Sequence, residues 1–312
     1  MKPPTLSRKT LLLLCGAACI LACEASAQSA LPPTGGADED CTLATPYTVA
    51  CVEKYMITND QLQSAVSAHS LANSLETLHK QMGDTPEFDG ARRRLADIMQ
   101  SAKDEAVEMG IATPDMYVSM LTTQAAQTRE GKDFVLVNEK ELNLALNTDI
   151  GADRLIVSLG RELAHIRNGD TAPSAVAHYR NDAASSREAE LRAELEGSGP
   201  LGGFRPLSAI DYAKDRLRDE LQKLVFFKGS TLNDIDPNRL SDRDYKAISD
   251  EHEARYGNPF HLSPWERIVA LRRELDLMLQ YGLSHEVRTH SDREAESKWL
   301  VDQILHDSLA SR

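Results

Sequence analysis

The chain has 312 residues, of which 41% are hydrophobic, 27% charged and only 5% aromatic. A chain of this length and composition can bury a full core without staples, and it lies outside the disordered and fibrous classes. The net charge of −13, with no basic run anywhere, argues against a nucleic-acid partner, because nothing would offset phosphate repulsion.

In chain order, the first element is a targeting segment. Lys2, Arg8 and Lys9 make a positive n-region, and Leu11 to Cys23 an apolar h-region too short for a comfortable membrane span. Ala25-Ser26-Ala27 offers a small-x-small cleavage site. Residues 1–27 therefore read as a signal peptide, with soluble export to the periplasm or beyond the cell. The competing reading is Ile20-Leu21-Ala22-Cys23, a lipobox-like stretch that would make Cys23 a lipid anchor. No later segment is long and apolar enough to predict a transmembrane span. Of the five cysteines, Cys15, Cys19 and Cys23 fall in the signal segment, leaving Cys41 and Cys51. An even pair in an oxidising compartment predicts a disulfide, here a local clasp.

Residues 28–58 read as a linker, small and rich in Pro, Gly and acids at its start. A domain is expected over 59–283. Helical spacing begins near Asn59, with Leu62, Val66, Leu71, Leu75 and Leu78 on an apolar stripe, and Asp84-Thr85-Pro86 breaks it. A second helix starts near Phe88, carries Leu95, Ile98, Met99, Ala102 and Ala106 on one face, and stops near Gly110. Met116 to Leu121 reads as a strand, TTQAAQTREG (122–131) as a turn or irregular edge, and Phe134 to Val137 as a second strand. Helices are then predicted at 139–147, 152–168, 184–196, 207–226, 241–254, 264–281 and 287–310, the last forming a C-terminal unit, 284–312.

Chemistry concentrates in RELAH, Arg161 to His165. Residues four apart on a helix share a face. In HExxH, two such imidazoles point at one zinc ion, and the intervening Glu polarises the metal-bound water. Here Glu162 and His165 stand in the right places, but Arg161 occupies the first-ligand position. A guanidinium stays protonated and has no lone pair to offer. Downstream lies ELRAELEG, Glu190 to Gly197, with acidic groups at helical spacing.

Together LGRELAHIRNGD (159–170) and ELRAELEG resemble metallopeptidase family 48, the gluzincins that include HtpX-like and CAAX-prenyl proteases. Their pattern is HELxHxxxxD followed by ExxADxxG. This chain departs from it at Arg161 and at Glu194, which stands for Asp. DFVLVNEKELNLAL, Gln124-Ala125, SAIDYAKDRL and HLSPWERIVALRREL resemble the family's flanking segments, so the likeness spans about residues 60–280. It implies an α+β, mainly helical fold, a zincin-like metallopeptidase domain with a small β-sheet. By position it implies Glu162 as catalytic base, His165 and Glu190 as ligands of Zn²⁺, and Glu194 as the carboxylate behind them. The activity implied is that of an exported zinc metalloendopeptidase hydrolysing a peptide or protein substrate.

Arg161 opens two accounts. In one, it reaches Glu190 or Glu162, and an ion pair replaces the metal as the link between helices. The protein is then a pseudopeptidase, a peptide- or protein-binding scaffold in the envelope. In the other, a metal binds through His165, Glu190 and a third group. His178 lies on neither motif helix, and His261, His285 and His290 read as surface or framework histidines. A third possibility from outside the family is a helical structural protein in which ExxH is accidental.

Overall fold

The computed structural model describes residues 71–119, 125–129, 131–225, 232, 235–283 and 289–310. The predicted signal peptide, the predicted linker and the predicted Cys41–Cys51 disulfide lie outside these residues, as do Gln124 and His285. The described chain is mainly helical with one small sheet, an α+β arrangement. None of its helices is long and apolar enough to cross a membrane.

Two helices come first, α1 (Leu71–Met82) and α2 (Pro86–Glu108). The expected break lies between them. Thr85 caps α2 by accepting a hydrogen bond from the Phe88 N–H, and Pro86 fills the first turn, where its missing N–H costs nothing. Leu95, Ile98, Ala102 and Ala106 face the core as their spacing predicts, but Met99 is 42% exposed and leaves that face.

The sheet has three strands, β1 (Asp115–Ser119), β2 (Ala125–Arg129) and β3 (Lys132–Asn138), in the order β1-β3-β2. β1 runs parallel to β3, and β2 antiparallel to it. Part of the segment read as irregular is therefore a strand. Ala-Ala-Gln-Thr-Arg carries neither alternation nor β-branched enrichment, and its pairing with β3 makes it one. Arg129 pairs with Lys132, and Gly131 just before β3 adopts φ 73°. β3 is central, and Phe134 to Val137 are all buried, which explains their unbroken apolar run.

Then come α3 (Glu139–Asn147), α4 (Asp149–Arg167), α5 (Pro173–Tyr179), α6 (Ala183–Ser198), α7 (Pro206–Leu224), α8 (Asp242–Tyr256), α9 (Pro264–Tyr281) and α10 (His290–Ala310). All but α5 match the predicted helices to within about three residues, the usual uncertainty at helix ends. The short α5 was not anticipated. Caps set the boundaries: Asn138 for α3, Thr148 for α4, Asp182 for α6, and capping boxes Ser241/Asp244 and Ser263/Glu266 for α8 and α9.

Three apolar clusters share these helices. One joins α2, α3, α4 and the sheet, another α7, α8 and α9, and the third α6, α9 and α10. α4 is buried on nearly every side, as a central helix must be. It crosses α6 backbone to backbone at Gly160 and Gly197. A Cβ on Gly160 would lie 2.6 Å from the Gly197 carbonyl oxygen, and one on Gly197 would lie 2.5 Å from the Arg161 nitrogen. Both obstacles are backbone, so neither can step aside. Gly197→Ala is expected to lower stability by about 1–3 kcal/mol, the usual range for overpacking. Chemical denaturation would measure the loss, and an unchanged midpoint and slope would contradict the close approach.

Candidate functional site

The crossing of α4 and α6 assembles the residues singled out by the sequence. α4 supplies Arg161, Glu162 and His165, and α6 supplies Glu190 and Glu194 one turn apart. His165 and Glu190 come together, with Nε2 3.7 Å from Oε1. Both are largely buried.

Glu162 is 3% exposed, and both of its carboxylate oxygens are engaged. Arg161 Nη2 donates to Oε1 at 2.6 Å, and the Ala126 backbone N–H donates to Oε2 at 2.7 Å. Of the two partners foreseen for Arg161, the structure selects Glu162. Burial pulls the Arg161 pKa down, but the carboxylates of Glu162, Glu190 and Glu194 outweigh it and hold the guanidinium firmly charged. Its Nε is buried without a hydrogen-bond partner.

His165 is fixed from its other side. Nδ1 lies 3.0 Å from Asp170 Oδ2, and the Tyr179 hydroxyl donates to Asp170 Oδ1 at 2.7 Å. Burial opposes the imidazolium and Arg161 repels it. Asp170, Glu190 and Glu162 prevail, and the pKa is raised.

Glu190 is held from three directions. His261 Nδ1 lies 2.9 Å from Oε1, and Arg267 Nη2 donates to Oε2 at 2.9 Å. Burial would raise the Glu190 pKa, but His261, His165 and Arg267 hold it well below the ordinary carboxylate range. Arg267 Nη1 also donates to Glu194 Oε2. The guanidinium fork therefore ties together two like charges four residues apart on α6, which would otherwise repel. Glu194 thus acts on Glu190 through Arg267.

Several of these partners were not assigned beforehand. His261, read as a surface or framework residue, contacts Glu190 directly. Arg267 lies in the HLSPWERIVALRREL flank, which carried a resemblance and no role. Asp170 closes the first motif but was given no function. His178 stays off the site, exposed on α5 and 3.9 Å from Asp182. His290 lies 3.2 Å from Glu108, also elsewhere.

These residues do not fit a zinc centre as arranged. Among the described residues, no three His, Cys, Asp or Glu side chains are grouped to hold a metal ion. His165 and His261 converge on one oxygen of Glu190, and Arg161 occupies the first-ligand position. A guanidinium cannot ligate, and its charge repels a divalent cation at short range. The arrangement is instead a buried network of acids matched by Arg161, Arg267 and a basic His165.

Comparison with known protein families, with curated proteins and with solved structures finds no match for this chain.

The His165 titration tests the network. A raised folded pKa means that the stability from this group is complete below the unfolded value of about 6.5 and fades as pH rises through the folded value. Ring NMR is expected to place the His165 midpoint above about 6.5. Asp170→Asn is expected to lower it more than Glu190→Gln, following the order of the two interactions. A midpoint unmoved by either substitution would refute the hydrogen-bond assignments.

Proposed function

We propose that this protein is a non-catalytic relative of the family 48 metallopeptidases, a zincin-like domain retained as a peptide- or protein-binding scaffold. The observation that carries the reading is the double engagement of Glu162. In an active zincin that carboxylate polarises a metal-bound water. Here one oxygen is occupied by Arg161 and the other by the Ala126 N–H, and no metal-holding group stands beside it among the described residues. Arg161 and Glu162 both lie on α4, so this pair does not supply the link from α4 to α6 expected from the sequence; the ion pairs of Arg267 tie α9, not α4, to Glu190 and Glu194 on α6. The signal-like N-terminus supports an envelope location, periplasmic or secreted, with lipid anchoring at Cys23 as the alternative. The rival reading, a zinc metalloendopeptidase, would need metal through His165, Glu190 and His261; both imidazoles approach one oxygen of Glu190, but the three do not stand grouped to hold an ion.

The scaffold reading gives the edge strand a use. β2 lies at one side of the sheet, and the Ala126 N–H points away from β3 toward Glu162. By strand alternation the Thr128 N–H points outward as well. An extended peptide could add to that edge by backbone hydrogen bonds.

Purified wild-type protein is expected to carry well under one zinc per chain by metal analysis. Arg161→His removes a cation and supplies an imidazole one turn before His165, so it is expected to bind zinc more tightly. Metal-free Arg161→His is expected to be less stable than wild type by about 3–5 kcal/mol, because Glu162 is left buried without its counter-charge. Added zinc should then raise its melting temperature. A wild type already holding one tight zinc per chain would overturn the non-catalytic reading.

For the binding role, unfolded casein should bind the wild type in fluorescence anisotropy. Thr128→Pro removes the outward N–H and leaves the β3 ladder intact. It should weaken binding by roughly 1 kcal/mol, the worth of one hydrogen bond, or about fivefold. A wild type that does not bind unfolded chains would remove the scaffold reading.

A further inference from the structure

Helices α6 and α9 meet along one seam. Near the start of α9, Arg267 grips Glu190 and Glu194. Two turns further on, Glu274 meets Ser198, one turn beyond Glu194. Glu274 is 0% exposed.

The Ser198 hydroxyl lies 2.8 Å from the Glu194 carbonyl oxygen and 2.8 Å from Glu274 Oε2. A hydroxyl has one proton, and a carbonyl oxygen can only accept. For both bonds to exist, Ser198 gives its proton to Glu194, and the carboxyl of Glu274 gives its own to Ser198. The second oxygen, Oε1, is buried without a partner, tolerable for a neutral carboxyl and costly for a carboxylate. Gly199 makes the space that Oε1 occupies, since a Cβ there would lie 2.5 Å from it.

We propose that Glu274 is a protonated latch: its proton seats α9 on α6, and its ionisation releases α9 together with the Arg267 and His261 hold on Glu190. The latch goes beyond the scaffold reading and is independent of what occupies the cleft. The electrostatics agree with the geometry. Burial is the main influence and holds the Glu274 pKa well above the ordinary value, Ser198 opposes it, and the Glu194 charge adds to it. α7, α8 and α10 also pack on α9. Among the described residues they present no charged group acting on Glu274. Unseating α9 would pull Arg267 off Glu190 and Glu194, and it would carry away His261, which lies three residues before the helix start.

The sign follows from the raised pKa. The stability from this group is complete below the unfolded Glu value of about 4.3 and is lost as pH rises through the folded value. The test compares wild type with Glu274→Gln, whose neutral amide keeps a donor toward Ser198 and cannot ionise. Relative to Glu274→Gln, the wild-type folded-to-unfolded ratio is expected to fall about tenfold per pH unit above that point until the folded acid ionises. As pH rises through the folded Glu274 value, the His261 ring signal should report the unseating in wild type and not in Glu274→Gln. Parallel stability curves, or the same pH response of the His261 signal in both proteins, would overturn the proposal.

Should Glu274→Gln not fold, infrared spectroscopy of carboxyl-labelled protein supplies the readout. The background is Glu105→Gln with Glu196→Gln, because burial outweighs the pull of Arg205 and raises the Glu105 pKa to about 7, and burial also raises that of Glu196. An un-ionised carboxyl band at neutral pH is expected, disappearing together with the His261 shift. Its absence would refute the latch.

Discussion

The structure depends on the approach of α4 to α6 at Gly160 and Gly197. No side chain separates the two backbones there, so the turns on either side interlock. Arg161, Glu162 and His165 are thereby brought against Glu190 and Glu194. A Cβ at either glycine would meet the backbone of the other helix, and the close packing it would disturb is what holds His165 3.7 Å from Glu190. The site is a consequence of that crossing more than of any single charged residue.

Close packing also creates an electrostatic difficulty. Glu162 and Glu194 are buried, and Glu190 nearly so. Carboxylates taken from water are costly unless paired and hydrogen-bonded. The fold answers with two guanidinium groups of different origin. Arg161 comes from α4 itself and neutralises its neighbour Glu162. Arg267 comes from α9 and spans Glu190 and Glu194 with its fork. Such pairs add little net stability compared with apolar packing, but losing one partner is strongly destabilising. The Arg161–Glu162 pair lies within α4 and joins no two helices, whereas the Arg267 pairs join α9 to α6 and make α9 a structural part of the site.

Three glutamates around this core show environment setting charge. Glu190 is surrounded by cations, which hold its pKa well below the ordinary carboxylate range. Glu274, on the same seam, is buried against a hydroxyl and near a like charge, and its pKa is pushed well above that range. Glu105 lies between them, its burial only partly offset by Arg205. Burial alone would raise all three, and the charge of the nearest partner separates them.

Much of this was legible in the sequence. Apolar spacing and cap residues determined the helices, because both act within a few residues: Thr85-Pro86 opens α2, and Ser263-Pro264 with Glu266 opens α9. The resemblance carried by the two motifs implied that His165 and Glu190 would meet, and they do. Tertiary structure alone decided the rest. β2 has no strand signature of its own and exists because β3 presents a partner edge. His261 looks like a surface residue until the loop before α9 carries it to Glu190. From sequence, Arg161 can reach either Glu190 or Glu162, since a long flexible side chain has both within range. Arg267, 77 residues beyond Glu190 in the chain, takes Glu190 and leaves Glu162 to Arg161. Local patterns record what neighbours in the chain require. The pairing of charges in a buried site depends on which distant groups arrive there, and only the packed helices settle that.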